Sequence, residues 1–148
     1  MTQNPLFVYG TLQDVDILGA VLGRTVEVSV FRPAIAPDYR AVVFPGRVYP
    51  ALVPATGQHA AGLLLTCLTF ADLAALDAFE GDEYRRDRID VVVDDTTILA
   101  EAYFPVMPVP ATQPAWTLAG WTTHHKPSVL QGEIEMAMAL RKRLGTSP

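Results

Sequence analysis

The chain has 148 residues, half of them hydrophobic and 18% charged, which is the size and make-up of one ordinary domain with a core of its own. Sixteen acids against eleven bases leave a net charge of −5, which argues against nucleic acid or an anionic membrane as partner, since both reward basic patches. The single cysteine cannot form an internal disulfide; with no basic region after Met1 and no apolar run of membrane-spanning length, the expectation is a soluble cytoplasmic protein without a signal peptide.

Pro5-Leu6-Phe7-Val8-Tyr9 reads as a buried strand, broken by Gly10-Thr11. Asp14 is placed to cap a short helix through Ile17, Leu18, Val21 and Leu22, with Gly23 as its stop. Strand, glycine turn and helix is the layout that aims backbone N–H groups at an anion, and many α/β proteins contain it without binding anything. Residues 25–55 are β-rich and broken by prolines. Val26, Val28 and Val30 alternate with Glu27 and Ser29, Ala41 to Phe44 makes a second run, and Tyr49 to Val53 a third. Ala60 to Thr69 is apolar and β-like. Cys67 lies within it and has no local base to lower its pKa, so it reads as core.

The stretch from Thr69 to Tyr84 predicts a short helix with a carboxylate on its apolar face. Thr69 is the N-cap and Asp72, three residues on, comes close to a capping box. Leu73 and Leu76 set the apolar face, Glu80 projects from that same face, and Gly81 ends the helix. An acid at the end of a buried stripe is costly unless neutralised, paired or used; the plain alternative is that Glu80 bends away to solvent as the helix frays. Arg85 to Val93 and Thr97 to Phe104 then form a hairpin around Asp94-Asp95. Residues 105–126, with Pro105, Pro108, Pro110 and Pro114 and no periodicity, predict a Pro-rich loop of a length that is usually functional or mobile. His124-His125-Lys126 lacks metal-ligand spacing and reads as exposed loop. Pro127-Ser128 opens a C-terminal helix from about 128 to 144, with Glu133 and Glu135 early, Arg141 to Arg143 late, and Leu130, Ile134, Ala137 and Leu144 as its inner face. The order of elements predicts an α+β fold in a single domain over 1–148, a small mixed, barrel-like sheet with a few packed helices.

Phe7-Val8-Tyr9-Gly10-Thr11-Leu12, then Tyr49-Pro50-Ala51-Leu52 followed by Gly62, then Leu76-Asp77-Ala78-Phe79-Glu80-Gly81 with Tyr84-Arg85, resemble three segments of the gamma-glutamylcyclotransferase-like family, whose members include plant avirulence-induced-gene-like and gamma-glutamylamine cyclotransferase-like proteins. Ala102-Tyr103 is similar to the tyrosine-bearing strand that follows in that family. The resemblance implies a small mixed barrel-like fold with a site between the 9–12 loop and Glu80. It also implies release of 5-oxoproline from a γ-glutamyl peptide or amine; no His, Cys, Asp or Glu cluster with ligand spacing appears in the sequence, so no metal and no cofactor are expected. Glu80 would be the catalytic general base and acid; Tyr9, Gly10, Thr11, Leu12 and Tyr103 would bind substrate, Tyr103 on the resemblance alone. The partner expected is a small γ-glutamyl molecule, and the protein a monomer or weak homodimer. The chain departs from the family after Trp121, where Thr122-Thr123-His124-His125-Lys126-Pro127 stands in place of acidic and aromatic residues.

Backbone N–H groups at Gly10, Thr11 and Leu12 suit a substrate α-carboxylate, with hydroxyls from Thr11 and Tyr9 in support. Tyr9 also reads as a packed strand aromatic and Gly10 as a plain turn. Asp82 and Glu83, beyond Gly81, rank below Glu80 because they should be more exposed. Residues 105–126 are expected to set leaving-group preference. Two alternatives remain at this point: a binding module for a small carboxylate, and a γ-glutamyl hydrolase.

Overall fold

β1 is short, Leu6–Val8, and all three of its residues are buried. It pairs antiparallel with β3 (Pro50–Leu65), through Leu6↔Leu65, Phe7↔Leu64 and Val8↔Leu63, and parallel with β5 (Thr96–Pro105) at Leu6↔Glu101. β2 (Phe31–Val43) pairs antiparallel with β3 along its length and meets β4 (Tyr84–Val93) at Ile35↔Val92. β4 and β5 form a hairpin from Tyr84↔Pro105 to Val93↔Thr96. The order β1-β3-β2-β4-β5 closes on itself as a barrel. This computed structural model describes residues 4–27 and 31–145. The fold is thus the α+β barrel with packed helices that the element order predicts.

Two of the expected strands are one. Pro50 to Val53 of one run and Ala60 to Leu65 of the next belong to a continuous strand of sixteen residues, which Pro54 and Gly57 do not interrupt. The register instead shifts between Pro37 and Tyr39; Asp38 (φ 64°) and Gly57 (φ 81°) take the left-handed conformation, and the Gly57 amide donates to Asp38 Oδ1 at 2.9 Å. A bulge absorbs the irregularity and lets a proline sit where no ladder donor is needed. Val28, Ser29 and Val30, three of the five residues of the first expected strand, lie outside the described residues, and Val26 and Glu27 are not in a strand. The β4–β5 turn is Asp94-Asp95 with both φ positive, the hairpin turn whose twist suits the flanking strands.

Strand alternation sorts most of the core into two, with a smaller third cluster of Val42, Phe44, Ala51 and Val53. Phe7, Leu52, Leu64, Val91 and a set of alanines (Ala34, Ala36, Ala60, Ala100, Ala102) fill the narrow barrel, while Leu6, Val8 and Leu65 face the helices. Gly62 is required where β1 crosses β3: a Cβ there would strike the Val8 carbonyl and the Phe7 ring. The helices are α1 (Val15–Leu22), α2 (Phe70–Glu80), α3 (Leu118–His124) and α4 (Lys126–Arg143). Asp14 caps α1 by accepting from the Asp16 and Ile17 amides, and Gly23 ends it at φ 75°. Lys126, at the start of α4, pairs with Asp14 (2.7 Å) and Asp16 (2.8 Å). No helix among the described residues is long and apolar enough to cross a membrane.

Three sequence expectations are corrected. Cys67 is exposed, with φ 62°, because the chain turns after Leu65 and Leu68 takes the buried place. The loop expected over 105–126 is shorter: Thr117 caps α3 through the Gly120 amide, so Leu118–His124 is helical and His124 sits at its exposed end. The remaining loop is tied down, with Arg40 donating to the carbonyls of Ala111 and Gln113 (2.6 Å each) and Trp116 Nε1 to the Val48 carbonyl (2.9 Å). Leu144 is exposed rather than on the inner face of α4, since the helix ends at Arg143 and Gly145 turns the chain away.

Candidate functional site

α2 carries the central acid. Its start is fixed twice: the Asp72 amide donates to Thr69 Oγ1 and the Thr69 amide to Asp72 Oδ2, both at 3.0 Å, a full capping box. Arg24, just past the end of α1, grips the same carboxylate with bonds of 2.7 and 3.0 Å. Burial alone would raise the Asp72 carboxyl, yet the bonds from Arg24 and Thr69 outweigh it and hold it below the usual range. Leu73 and Leu76 are buried against the barrel, so the face of α2 that carries Glu80 has a fixed direction. At the far end Gly81 (φ 70°) lets the chain leave the helix at once.

Glu80 therefore does not fray to solvent. It is half-buried and lines a cavity of about 310 Å³ with Tyr9, Gly10, Thr11 and Leu12 on another side. Its carboxylate accepts no hydrogen bond from any described residue. Burial first, then the charges of Glu133 and Asp77, raise its pKa to about 8. The two neighbouring acids behave differently. Glu83 accepts from Arg47 (2.6 and 3.0 Å) and from the Tyr49 hydroxyl, and the Arg47 bond holds its carboxyl below the ordinary value. Asp82 lines the cavity but is exposed.

The 9–12 loop approaches through a close contact. A Cβ on Gly10 would lie 2.9 Å from Pro50 Cγ, so only glycine fits here. Pro50 is fixed in turn, its carbonyl accepting from the Tyr84 hydroxyl at 2.5 Å. Thr11–Gln13 form a 3-10 turn, whose first amides, Thr11 and Leu12, have no carbonyl within the turn to bond. They border the cavity as free donors suited to an anion, while the Leu12 side chain is core.

The two tyrosines from the sequence reading meet, with their hydroxyls already committed. Tyr9 donates to the Tyr103 carbonyl (2.5 Å), and Tyr103 donates to Asp77 Oδ1 (2.7 Å). Burial first, then the Glu80 charge for Tyr9 and the bond to Asp77 for Tyr103, raises both hydroxyls well above the ordinary range, so both stay protonated donors. Asp77 lies one turn before Glu80 and is also held by Arg86 (2.9 and 3.1 Å), which reaches Glu101 of β5 (2.6 Å). This chain ties the last turn of α2 to the barrel wall. Tyr103 lines the cavity with its ring and orients the acid-bearing turn with its hydroxyl.

Sequence reasoning missed the contribution of α4. Glu133 and Met136 complete the cavity lining, and burial raises the Glu133 carboxyl above its usual range. The signal was present: Glu133 lies three residues after Leu130 and four before buried Ala137, on the same inner face. Residues 105–126 contribute nothing to this cavity; Pro105 to Val109 line a separate groove with Tyr39 and Arg88. Among the described residues, no three His, Cys, Asp or Glu side chains are grouped as metal ligands would be. The arrangement supplies an unpartnered carboxylate of raised pKa, a pair of free amides and a bounded cavity, the parts of a proton transfer on a small ligand that carries a carboxylate.

The family model described as gamma-glutamyl cyclotransferase, AIG2-like, matches residues 6–127. The chain is 34% identical over 97 residues to AIG2-like protein D of Arabidopsis thaliana, an alignment covering 66% of this chain and 62% of that one; the match thus spans less than two thirds of that relative's length. A solution structure from Arabidopsis thaliana superposes with a TM-score of 0.66 at 29% identity, covering 89% of each chain. A structure titled gamma-glutamyl cyclotransferase superposes with a TM-score of 0.58 over 89% of this chain and 86% of that one, and at 13% identity it speaks for the fold alone.

Proposed function

The chain belongs to the AIG2-like gamma-glutamyl cyclotransferase family, and from that premise we propose that it releases 5-oxoproline from a γ-glutamyl amide, with Glu80 moving the protons. Family and fold support a cyclotransferase role in general. The observation that carries the finer reading is the Glu80 carboxylate, unpartnered and of raised pKa, lining one cavity with the 9–12 amides.

In such a substrate the α-nitrogen attacks the γ-carbonyl carbon of the same molecule. A C–N bond forms to close the five-membered lactam, and the C–N bond to the departing amine breaks. Two protons leave the α-nitrogen, which starts as an ammonium, and both end on the departing amine. Nucleophile and electrophile are already joined, so most of the proximity advantage, up to roughly 7–11 kcal/mol, comes from holding one conformation. The amides of Thr11 and Leu12 would take the α-carboxylate. Glu80 accepts a proton from the α-nitrogen and delivers it to the amine. An ordinary glutamate would face an uphill transfer of about 5 kcal/mol from an α-ammonium of pKa about 8. With Glu80 at about 8, donor and acceptor are matched and that penalty disappears.

The test is a panel of γ-glutamyl amides assayed for 5-oxoproline, with Glu80→Gln beside the wild type. Turnover should appear in the wild type and fall by about 10²–10⁴ in the variant, which keeps ligand binding. Release of free glutamate instead would make the protein a hydrolase, and binding without any product would make it a binding module.

A further inference from the structure

We propose that Glu133 is the carboxylate that holds the substrate's α-ammonium group, a specificity residue working beside Glu80. This rests on the γ-glutamyl reading above. The charged residues lining the cavity are Glu80, Asp82, Glu83 and Glu133, with no lysine, arginine or histidine among them. Glu83 is taken by Arg47 and Tyr49, and Asp82 is exposed. Glu80 and Glu133 remain, both half-buried and both without a hydrogen bond or ion pair from any described residue. Two carboxylates facing one cavity without a cation are costly, and a ligand that brings a cation relieves both.

The place of Glu133 says which cation. It also borders a small void with Thr11, Tyr49 and Trp121, so it stands beside the 9–12 turn, and its charge reaches Glu80. A γ-glutamyl ligand carries its carboxylate and its ammonium on the same carbon. If the turn amides take the carboxylate, the ammonium must lie within a few ångströms of that turn, and Glu133 is the unpartnered carboxylate that borders it. The ammonium carries more than one N–H, so Glu133 can hold one while Glu80 takes the proton from another. The two roles therefore fall to two residues, with Glu133 binding and Glu80 transferring.

The experiment uses γ-glutamyl butylamide and its counterpart lacking only the α-amine, the monobutylamide of glutaric acid. Calorimetry on Glu80→Gln, which cannot take the proton, reads how much the α-amine adds to binding. The desamino compound should bind at least tenfold more weakly. Adding Glu133→Gln should shrink that gap to under threefold, Glu133→Asp should retain part of it, and Glu135→Gln, on the exposed side of α4, should leave it whole. With Glu80 intact, Glu133→Gln should raise KM at least tenfold and leave kcat within threefold. A gap untouched by Glu133→Gln, or a fall in kcat at unchanged KM, overturns the proposal. If the gap depends on Glu133 while no compound yields 5-oxoproline, the cyclotransferase reading falls and the ammonium site stands.

Discussion

Glu80→Gln should make the protein more heat-stable at pH 9 while changing it little at pH 5. Proton linkage sets the sign of the effect. Near pH 4.5 the Glu80 carboxyl begins to ionise in the unfolded chain, whereas in the folded protein it keeps its proton until about pH 8. A folded-state pKa raised in this way gives stability that is fully present below 4.5 and lost as pH climbs to about 8. At 1.36 kcal/mol per pH unit, the span from 4.5 to about 8 sets a ceiling of about 5 kcal/mol. The side chain is half-buried rather than sealed, and cavity water screens part of this, so about 2–3 kcal/mol is the expectation. Glutamine does not titrate and escapes the loss. For a chain of this size each kcal/mol moves Tm by about 2–4 °C, so the variant should melt about 4–12 °C above wild type at pH 9. At pH 5 less than about 1 kcal/mol of the ceiling has been drawn. Calorimetric melts of both proteins at both pH values provide the assay, and any cost of the amide itself cancels between them. A Tm difference that is the same at pH 5 and pH 9 would refute the claim that Glu80 is held protonated by its surroundings.

The same raised pKa predicts that kcat/KM on a γ-glutamyl amide rises more than tenfold from pH 6 to pH 8 and falls again above it, since only about a hundredth of Glu80 is ionised at pH 6 while the α-ammonium, of pKa about 8, is lost beyond pH 8; a profile that is flat or falling from pH 6 to pH 8 would exclude Glu80 as the base. Arg24→Ala should cost about 2–4 kcal/mol in urea unfolding at pH 7, because Asp72 stays buried without its cation. Asp72 is held below its ordinary value, so its contribution is present above that value and lost as pH falls through the depressed one; the variant should lose that acid limb, and an unchanged midpoint would show the pair to be idle. Gly62→Ala should destabilise by about 1–3 kcal/mol by pushing β1 off β3, and an unchanged melt would show that β1 clears the clash with the Val8 carbonyl without cost. Trp116→Phe removes the bond to the Val48 carbonyl and should lower stability, yet leave the relative kcat/KM of different γ-glutamyl amides unchanged, since the loop lies off the cavity; altered ranking would return the loop to the site.

The legible parts of the sequence were those governed by local rules. Asp14, Gly23, Thr69 and Gly81 mark helix ends because capping depends on residues within one turn, and the structure puts each in that role. Glu80 was legible because helical periodicity alone assigns it to the Leu73–Leu76 face. The 9–12 turn was legible as a shape, whereas the reason for Gly10 was not, since its neighbour Pro50 is forty residues away and comes from another strand. Cys67 was misplaced because an apolar run does not reveal where its strand stops. Residues 105–126 looked like an active-site loop because prolines hide the helix cap at Thr117 and the distant partners, Arg40 and Val48, that hold the segment. Glu133 was read as helix-dipole chemistry, although its spacing to Ala137 obeyed the rule that singled out Glu80.

Two seams of the barrel rest on one pair each: Ile35↔Val92 between β2 and β4, and Leu6↔Glu101 between β1 and β5, the second backed by the Glu101 amide on the Pro5 carbonyl at 2.9 Å. The two long hairpins join near neighbours in the chain, while the β1–β5 seam joins residues 95 positions apart. Loop closure of that span is entropically the most demanding, so it falls to the end of assembly. The turn that follows β1 is the one that faces Glu80. The site thus exists only once the last stave is in place, and a slight loosening of β1 would disarm it while the hairpins and helices stay folded. A ligand spanning the 9–12 turn and α2 would act as a hoop across that joint, holding shut by its own binding energy a closure that the backbone makes with a single pair.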